Sequence, residues 1–288
     1  MISFRLPADI CRKNYNEPYH VWVMKMRKIF MDRRFSGYIW HILFAGLFIG
    51  LSLYISEYTK GVTWYLISSL LRIIFGIAIL IVSAGLFERK VSDILSFSKT
   101  KEAIFAGIGF LIFFLYDVLV VISGIGKITG LTTGILLSRI ILQQATTGFY
   151  EELNYRFLLL EGLKYTEDKV GTEFMYVMIS AILFGLLHCV TGWNTYTFFQ
   201  TGAIGFAFAV IFVKSGNILI PMILHFIYDV IANTAGFVEW NHTPVFDNLS
   251  SIFPIMLAIM FVISAVILIV PEEKIRSSGF PKRIPYPK

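Results

Sequence analysis

Long apolar runs recur along this chain, at about residues 38–56, 64–87, 103–125, 131–163, 173–190, 195–214, 217–238 and 250–270, separated by short polar connectors. Each reaches the roughly 17 to 25 residues that a helix needs to cross a ~30 Å hydrocarbon core. Inside lipid every backbone N–H and C=O must find an internal partner, which leaves helices or a closed barrel. No run shows the period of two that barrel strands require. The expected fold is therefore all-α, a polytopic membrane bundle of about eight transmembrane helices. Only 15% of the 288 residues are charged and 56% are hydrophobic, with a mean hydropathy of +0.71, which is too little charge for a soluble domain of this size.

Lys and Arg sort by connector. Alternate connectors, together with both tails, carry 20 of them and the intervening connectors carry 2, so both termini are expected on the cytoplasmic side. This divides the chain into a basic N-terminal tail at 1–37, a transmembrane bundle at 38–270 with its chemical core at about 131–238, and a basic C-terminal tail at 271–288. The formal charge of +6 lies beside apolar runs rather than on a soluble basic face. Membrane lipids are thus the expected partners, and nucleic acid is not. The first 37 residues lack a compact apolar core with a small-residue cleavage site and do not read as a signal peptide. Cys11 and Cys189 do not form the framework of a disulfide-stapled domain.

The fourth run is too long for one crossing. Its 33 residues would make a helix roughly 50 Å long, and Thr146-Thr147-Gly148 is the expected break.

Ionisable groups inside a membrane are costly and mark function by default. Three fragments carry them: Glu151-Glu152 with Arg156, Phe184 with His188, and His225 with Asp229. In each, the paired residues stand four apart and share a helix face. Glu152 and Arg156 suit an intrahelical ion pair, whereas Glu151 points elsewhere, free to take and return a proton. Asp229 is placed to orient and charge His225, which can then donate to a developing oxyanion. Gly185, beside Phe184, permits close approach of another helix. Counted from the connector at 164–172, Glu151 and His188 lie at depths of roughly 18 and 22 Å, and His225 and Asp229 at roughly 12 and 18 Å from their own helix start. All fit one intramembrane layer. Arg72, Asp117 and Arg139 also fall inside runs and read as structural, Arg72 marking an interface and Asp117 pairing with Arg139.

Glu-Glu-x-x-x-Arg, then Phe-x-x-x-His, then His-x-x-x-Asp on successive helices resembles the CAAX prenyl protease and bacteriocin-processing family (CPBP), the type II CAAX endopeptidases. The resemblance covers residues 149–233. It implies an intramembrane endopeptidase acting on a membrane-associated peptide or protein. Glu151 and His188 would activate water, His225 and Asp229 would steady the oxyanion, and Arg156 would hold Glu152. The chain departs from the family pattern at Tyr155-Arg156-Phe157, where many members have Phe-Arg-Gly, and at Asp229, where prenyl-processing members have Asn. No cofactor is expected. If the enzyme used a metal, Glu151, His188 and His225 would hold Zn²⁺ with water in the fourth position, although a His-Glu-x-x-His helix is lacking. The alternatives are a non-catalytic scaffold, a bacteriocin-immunity or cell-envelope regulatory protein of the same family, and a proton-relay transporter, for which no internal repeat speaks. The expected location is a bacterial plasma membrane.

Overall fold

The computed structural model describes residues 33–161 and 170–270. The tails at 1–32 and 271–288 and most of the connector at 164–172 lie outside the described residues. Each apolar run becomes helical. α1 spans Arg33–Tyr58 and α2 Gly61–Leu86; a single helical turn at Val91–Ile94 precedes α3, Thr100–Ala106, and α4, Ile108–Gly124. α5 is one continuous helix over residues 133–158. α6 spans Val170–His188, α7 Thr195–Ser215, α8 Leu219–Ala235, α9 Pro244–Ser251 and α10 Phe253–Ile269. The helix ends follow side-chain chemistry. Asn194 caps α7 by accepting from the Thr197 N–H at 2.9 Å. Asn217 Oδ1 accepts from the first amides of α8, and Thr243 caps α9 just before Pro244, satisfying donors that have no partner within their helix.

The all-helical membrane bundle is as expected. Among the described residues, three helices are long and apolar enough by length and composition to cross a membrane, α1, α2 and α7. The number rises to five if α3 with α4, bent by 66°, and α9 with α10, bent by 43°, each count as one span. α6 and α8 are shorter apolar helices.

The expected break in the fourth run is corrected. Thr146, Thr147 and Gly148 lie inside a regular α-helical stretch, Gln144–Glu152. Both threonine hydroxyls donate back to the Gln143 carbonyl, at 2.9 and 2.8 Å, a local bond compatible with the helix. The departures from α geometry flank this stretch instead: π-helical segments at Leu136–Gln143 and Leu153–Leu158. Such wide turns recur at functional sites.

α5 is the inner helix. Every residue from 150 to 161 is buried, enclosed by α1, α2, α6, α7 and α8, as a helix hemmed in on all sides must be. α6 and α10 flank α7, and α4 lies against α10. Hydrogen bonds tie the connectors at each end. Asn217 Nδ2 donates to the Ser98 carbonyl at 2.7 Å, and Arg89 meets Glu161 at 2.7 Å. At the other end the Thr129 N–H donates to the Phe237 carbonyl and the Glu239 N–H to the Lys127 carbonyl, both at 2.8 Å. Arg139 does not pair with Asp117. Its guanidinium lies over the rings of Tyr65 and Phe237, at 5.7 and 5.3 Å from their centres.

Candidate active site

The site forms where α5 crosses α8. A Cβ added to Gly148 would lie 2.9 Å from the Met222 carbonyl oxygen and 3.7 Å from His225 Cβ, so the absent side chain lets the two backbones touch. One turn further along α5 come Glu151 and Glu152, facing His225 on α8.

Glu152 is wholly buried, at 0% exposure, and works in two directions. Its Oε1 accepts from His225 Nδ1 at 2.9 Å, and its Oε2 lies 3.2 Å from Arg156 Nε. Arg156 is also at 0% exposure, and none of its guanidinium nitrogens has a well-aligned acceptor among the described residues. Its charge rests on the Glu152 ion pair and on aromatic faces: its guanidinium carbon is 4.0 Å from the centre of the Phe184 ring and 5.7 Å from that of Phe208. A desolvated cation over a ring is stabilised by about 2 kcal/mol.

With Nδ1 donating to Glu152, the other ring nitrogen of His225 is directed at the remaining carboxylates. Nε2 lies 3.4 Å from Asp229 Oδ2 and 3.8 Å from Glu151 Oε2. Every close pair is matched when the ring carries a proton on both nitrogens. Glu151 Oε2 itself is buried without a hydrogen-bond partner among the described residues, the second distance being too long for a direct bond. Asn233 Nδ2 continues the polar stripe by donating to the Asp229 carbonyl at 2.9 Å.

Five of the six residues singled out in the sequence thus converge: Glu151, Glu152, Arg156, His225 and Asp229. His188 stands apart. It is exposed at the last turn of α6, its Nδ1 bonded to the Phe184 carbonyl of its own helix at 2.8 Å. The Phe184 ring separates it from the cluster, 4.6 Å from the His188 ring and 5.9 Å from that of His225. The neighbour of Glu151 is His225. Gly185 does admit another helix, since its Cβ would fall 2.7 Å from the Phe198 carbonyl oxygen of α7. Among the described residues no three His, Cys, Asp or Glu side chains are grouped to hold a metal ion.

Sequence reasoning missed the support behind the cluster. His41 Nδ1 meets Asn154 Oδ1 at 3.1 Å, and Asn154 Nδ2 donates to the Tyr150 hydroxyl at 3.1 Å. His41 and Asn154 are polar residues inside apolar runs, and that was the available signal. Phe208, one more aromatic in a chain with 27 phenylalanines, offered none.

A helical integral membrane protein with carboxylates and an imidazole gathered in its interior is the class that fold and site define. Within it, residues 133–231 match the family model described as Rce1-like, type II CAAX prenyl endopeptidase, a family of membrane proteases. The matched segment takes in all three motifs, from the start of α5 to two residues past Asp229. No curated protein and no solved structure matches the chain.

Proposed function

We propose that the protein is an intramembrane endopeptidase in which Glu151 activates water. The observation that carries this reading is the meeting of buried Glu151 with Glu152, His225 and the half-buried Asp229 at one level of the bundle. Glu151 takes a proton from water as the oxygen attacks the scissile carbonyl carbon. His225 Nε2–H donates to the oxyanion that forms, with Glu152 fixing the ring from Nδ1 and Asp229 balancing its charge. The carbonyl then reforms, the C–N bond breaks, and the proton on Glu151 passes to the leaving amine. Arg156 holds Glu152 in place. The substrate is a peptide bond in a membrane-associated protein or peptide, and the Rce1-like match makes prenylated C-terminal peptides the first to try. The concentration of Lys and Arg in alternate connectors of the sequence supports both termini on the cytoplasmic side, and this reading takes the membrane to be a bacterial plasma membrane. Single cysteines at Gly192 and Lys99, in a chain freed of Cys11 and Cys189, should be labelled from opposite sides by an impermeant reagent. Labelling from one side alone would overturn that topology.

The deciding experiment compares wild-type protein with Glu151→Gln, both purified and reconstituted. The substrates are an internally quenched S-farnesyl peptide, its unprenylated counterpart, and membranes profiled for new peptide termini. An amide keeps the volume and cannot act as a base at neutral pH, so cleavage should vanish while the protein stays folded. Full cleavage by the variant rules Glu151 out as base. Zn²⁺ at one per chain in active, chelator-washed protein would replace carboxylate activation by metal activation. Rescue of a deletion phenotype by Glu151→Gln would instead make the protein a scaffold.

A further inference from the structure

α1 lies outside the segment that matches the family model, yet it grips the helix that carries Glu151 and Glu152. Three points of α1 meet three successive turns on one face of α5, where residues four apart line up. The Phe48 ring packs on the Tyr150 ring with centres 4.4 Å apart. His41 Nδ1 meets Asn154 Oδ1 at 3.1 Å, and a Cβ on Gly37 would collide with the Leu158 carbonyl oxygen. The middle contact is the polar one. His41 and Asn154 are both buried. Asn154 Nδ2 is committed to the Tyr150 hydroxyl at 3.1 Å, so the amide oxygen accepts and His41 Nδ1 carries the proton. One chain of hydrogen bonds thus runs from α1 through Asn154 to Tyr150, the residue before Glu151.

The same imidazole stands at 77° to the Tyr155 ring, with centres 4.6 Å apart. Tyr155 in turn meets Phe184 at 5.4 Å, and Phe184 is the ring over which the Arg156 guanidinium lies at 4.0 Å. Asn154, Tyr155 and Arg156 all belong to the π-helical segment Leu153–Leu158, which begins directly after Glu152. From the other side, Ser180 Oγ of α6 donates to the Tyr155 carbonyl at 2.7 Å. The wide turn is therefore fastened by α1 and by α6. Its rotation about the helix axis sets where Arg156 meets Glu152, at 3.2 Å, and where both glutamates stand before His225. His41 has no printed bond to either glutamate, to His225 or to Asp229, and so reaches the site through Asn154 and Tyr155.

We infer that the His41–Asn154 bond fixes the rotation of this wide turn, and with it the placement of Glu151 and Glu152 before His225, making His41 and Asn154 positioning residues for the hydrolysis. This rests on Glu151 being the base. The test measures kcat and KM on the quenched S-farnesyl peptide, together with thermal unfolding. It compares reconstituted wild type, His41→Leu, Asn154→Leu, the double variant and His41→Asn. Each single leucine strands a buried polar partner, whereas the double removes both ends of the bond and should unfold later than either single. A bond that served stability alone would let the rate recover there too. The expected result is a kcat about tenfold down in each single, from a shift smaller than the 1 Å that can cost about a hundredfold. The double should fall no further, because the two residues act as one unit, and KM should stay within about twofold throughout. His41→Asn, whose amide stands where Nδ1 stood, should restore the rate. An unchanged kcat in either single, a double that regains its rate along with its stability, a loss carried by KM, or a His41→Asn as slow as His41→Leu overturns the inference. So does failure of the double variant to accumulate in membranes, because the pair would then serve folding. Glu151→Gln in the same assay separates the two claims. An active Glu151→Gln removes the base and this inference with it, whereas an inactive one beside full kcat in His41→Leu removes only the role of His41.

Discussion

The two histidines of the motifs have unequal surroundings, and the difference is measurable. His225 is buried with carboxylate oxygens at 2.9, 3.4 and 3.8 Å, whereas His188 bonds a carbonyl of its own helix and faces outward. Removing His225 takes away the donor proposed for the oxyanion and strands a buried Glu152 oxygen. His225→Ala should therefore lower kcat about 10²- to 10³-fold and also weaken folding, because an unsatisfied buried acceptor costs about 1–3 kcal/mol. His188→Ala should cost no more than about tenfold, well below the contribution of a working acid–base group, and leave thermal unfolding unchanged. Equal losses in the two variants would return His188 to the side of Glu151 during turnover. The ranking was not legible in the sequence, where both residues are isolated histidines in apolar runs. Counting residues along each helix gives depth, but it gives neither the tilt of α6 nor the turn of its last residues, and these set Phe184 between His188 and the carboxylates.

Among the helices, the contact of α5 with α8 governs the site because Gly148 removes the side chain that would hold them apart. Gly148→Ala places a methyl 2.9 Å from the Met222 carbonyl oxygen, where the obstacle is backbone and cannot swing away. The helices must separate by a few tenths of an ångström, at a cost of about 1–3 kcal/mol as in other overpacked sites. Misplacement on the order of 1 Å can cost about a hundredfold in rate, so this smaller shift should lower kcat/KM about tenfold while the protein still folds. An undiminished rate would show that the α5–α8 spacing does not set the geometry of His225. Apolar runs located the helices well, since hydropathy reports what faces lipid. It does not report how a helix bends at Gly107 or Ile252, nor that α5 widens into π turns on both sides of Gln144–Glu152. Thr146-Thr147-Gly148 read as a break by residue type. In the fold the hydroxyls serve the helix and the glycine serves its neighbour.

Across the whole molecule, the charged layer joins parts of the chain that are far apart in order of synthesis. Glu152 and His225 are 73 residues apart, and Asp229 follows later still, so at about 5–20 residues per second the first acid waits roughly 4 to 15 s for its imidazole. During that interval the latter half of α5 has only the Glu152–Arg156 pair with which to offset its charge. It lacks α8, one of the helices that later enclose it. Insertion of this helix should therefore stay incomplete until α8 arrives. A chain terminated after Ser215 should be cleared rapidly by membrane quality control, whereas one terminated after Ala235 should survive longer in a pulse-chase. Equal half-lives would mean that α5 is stable in the bilayer before its partner is made.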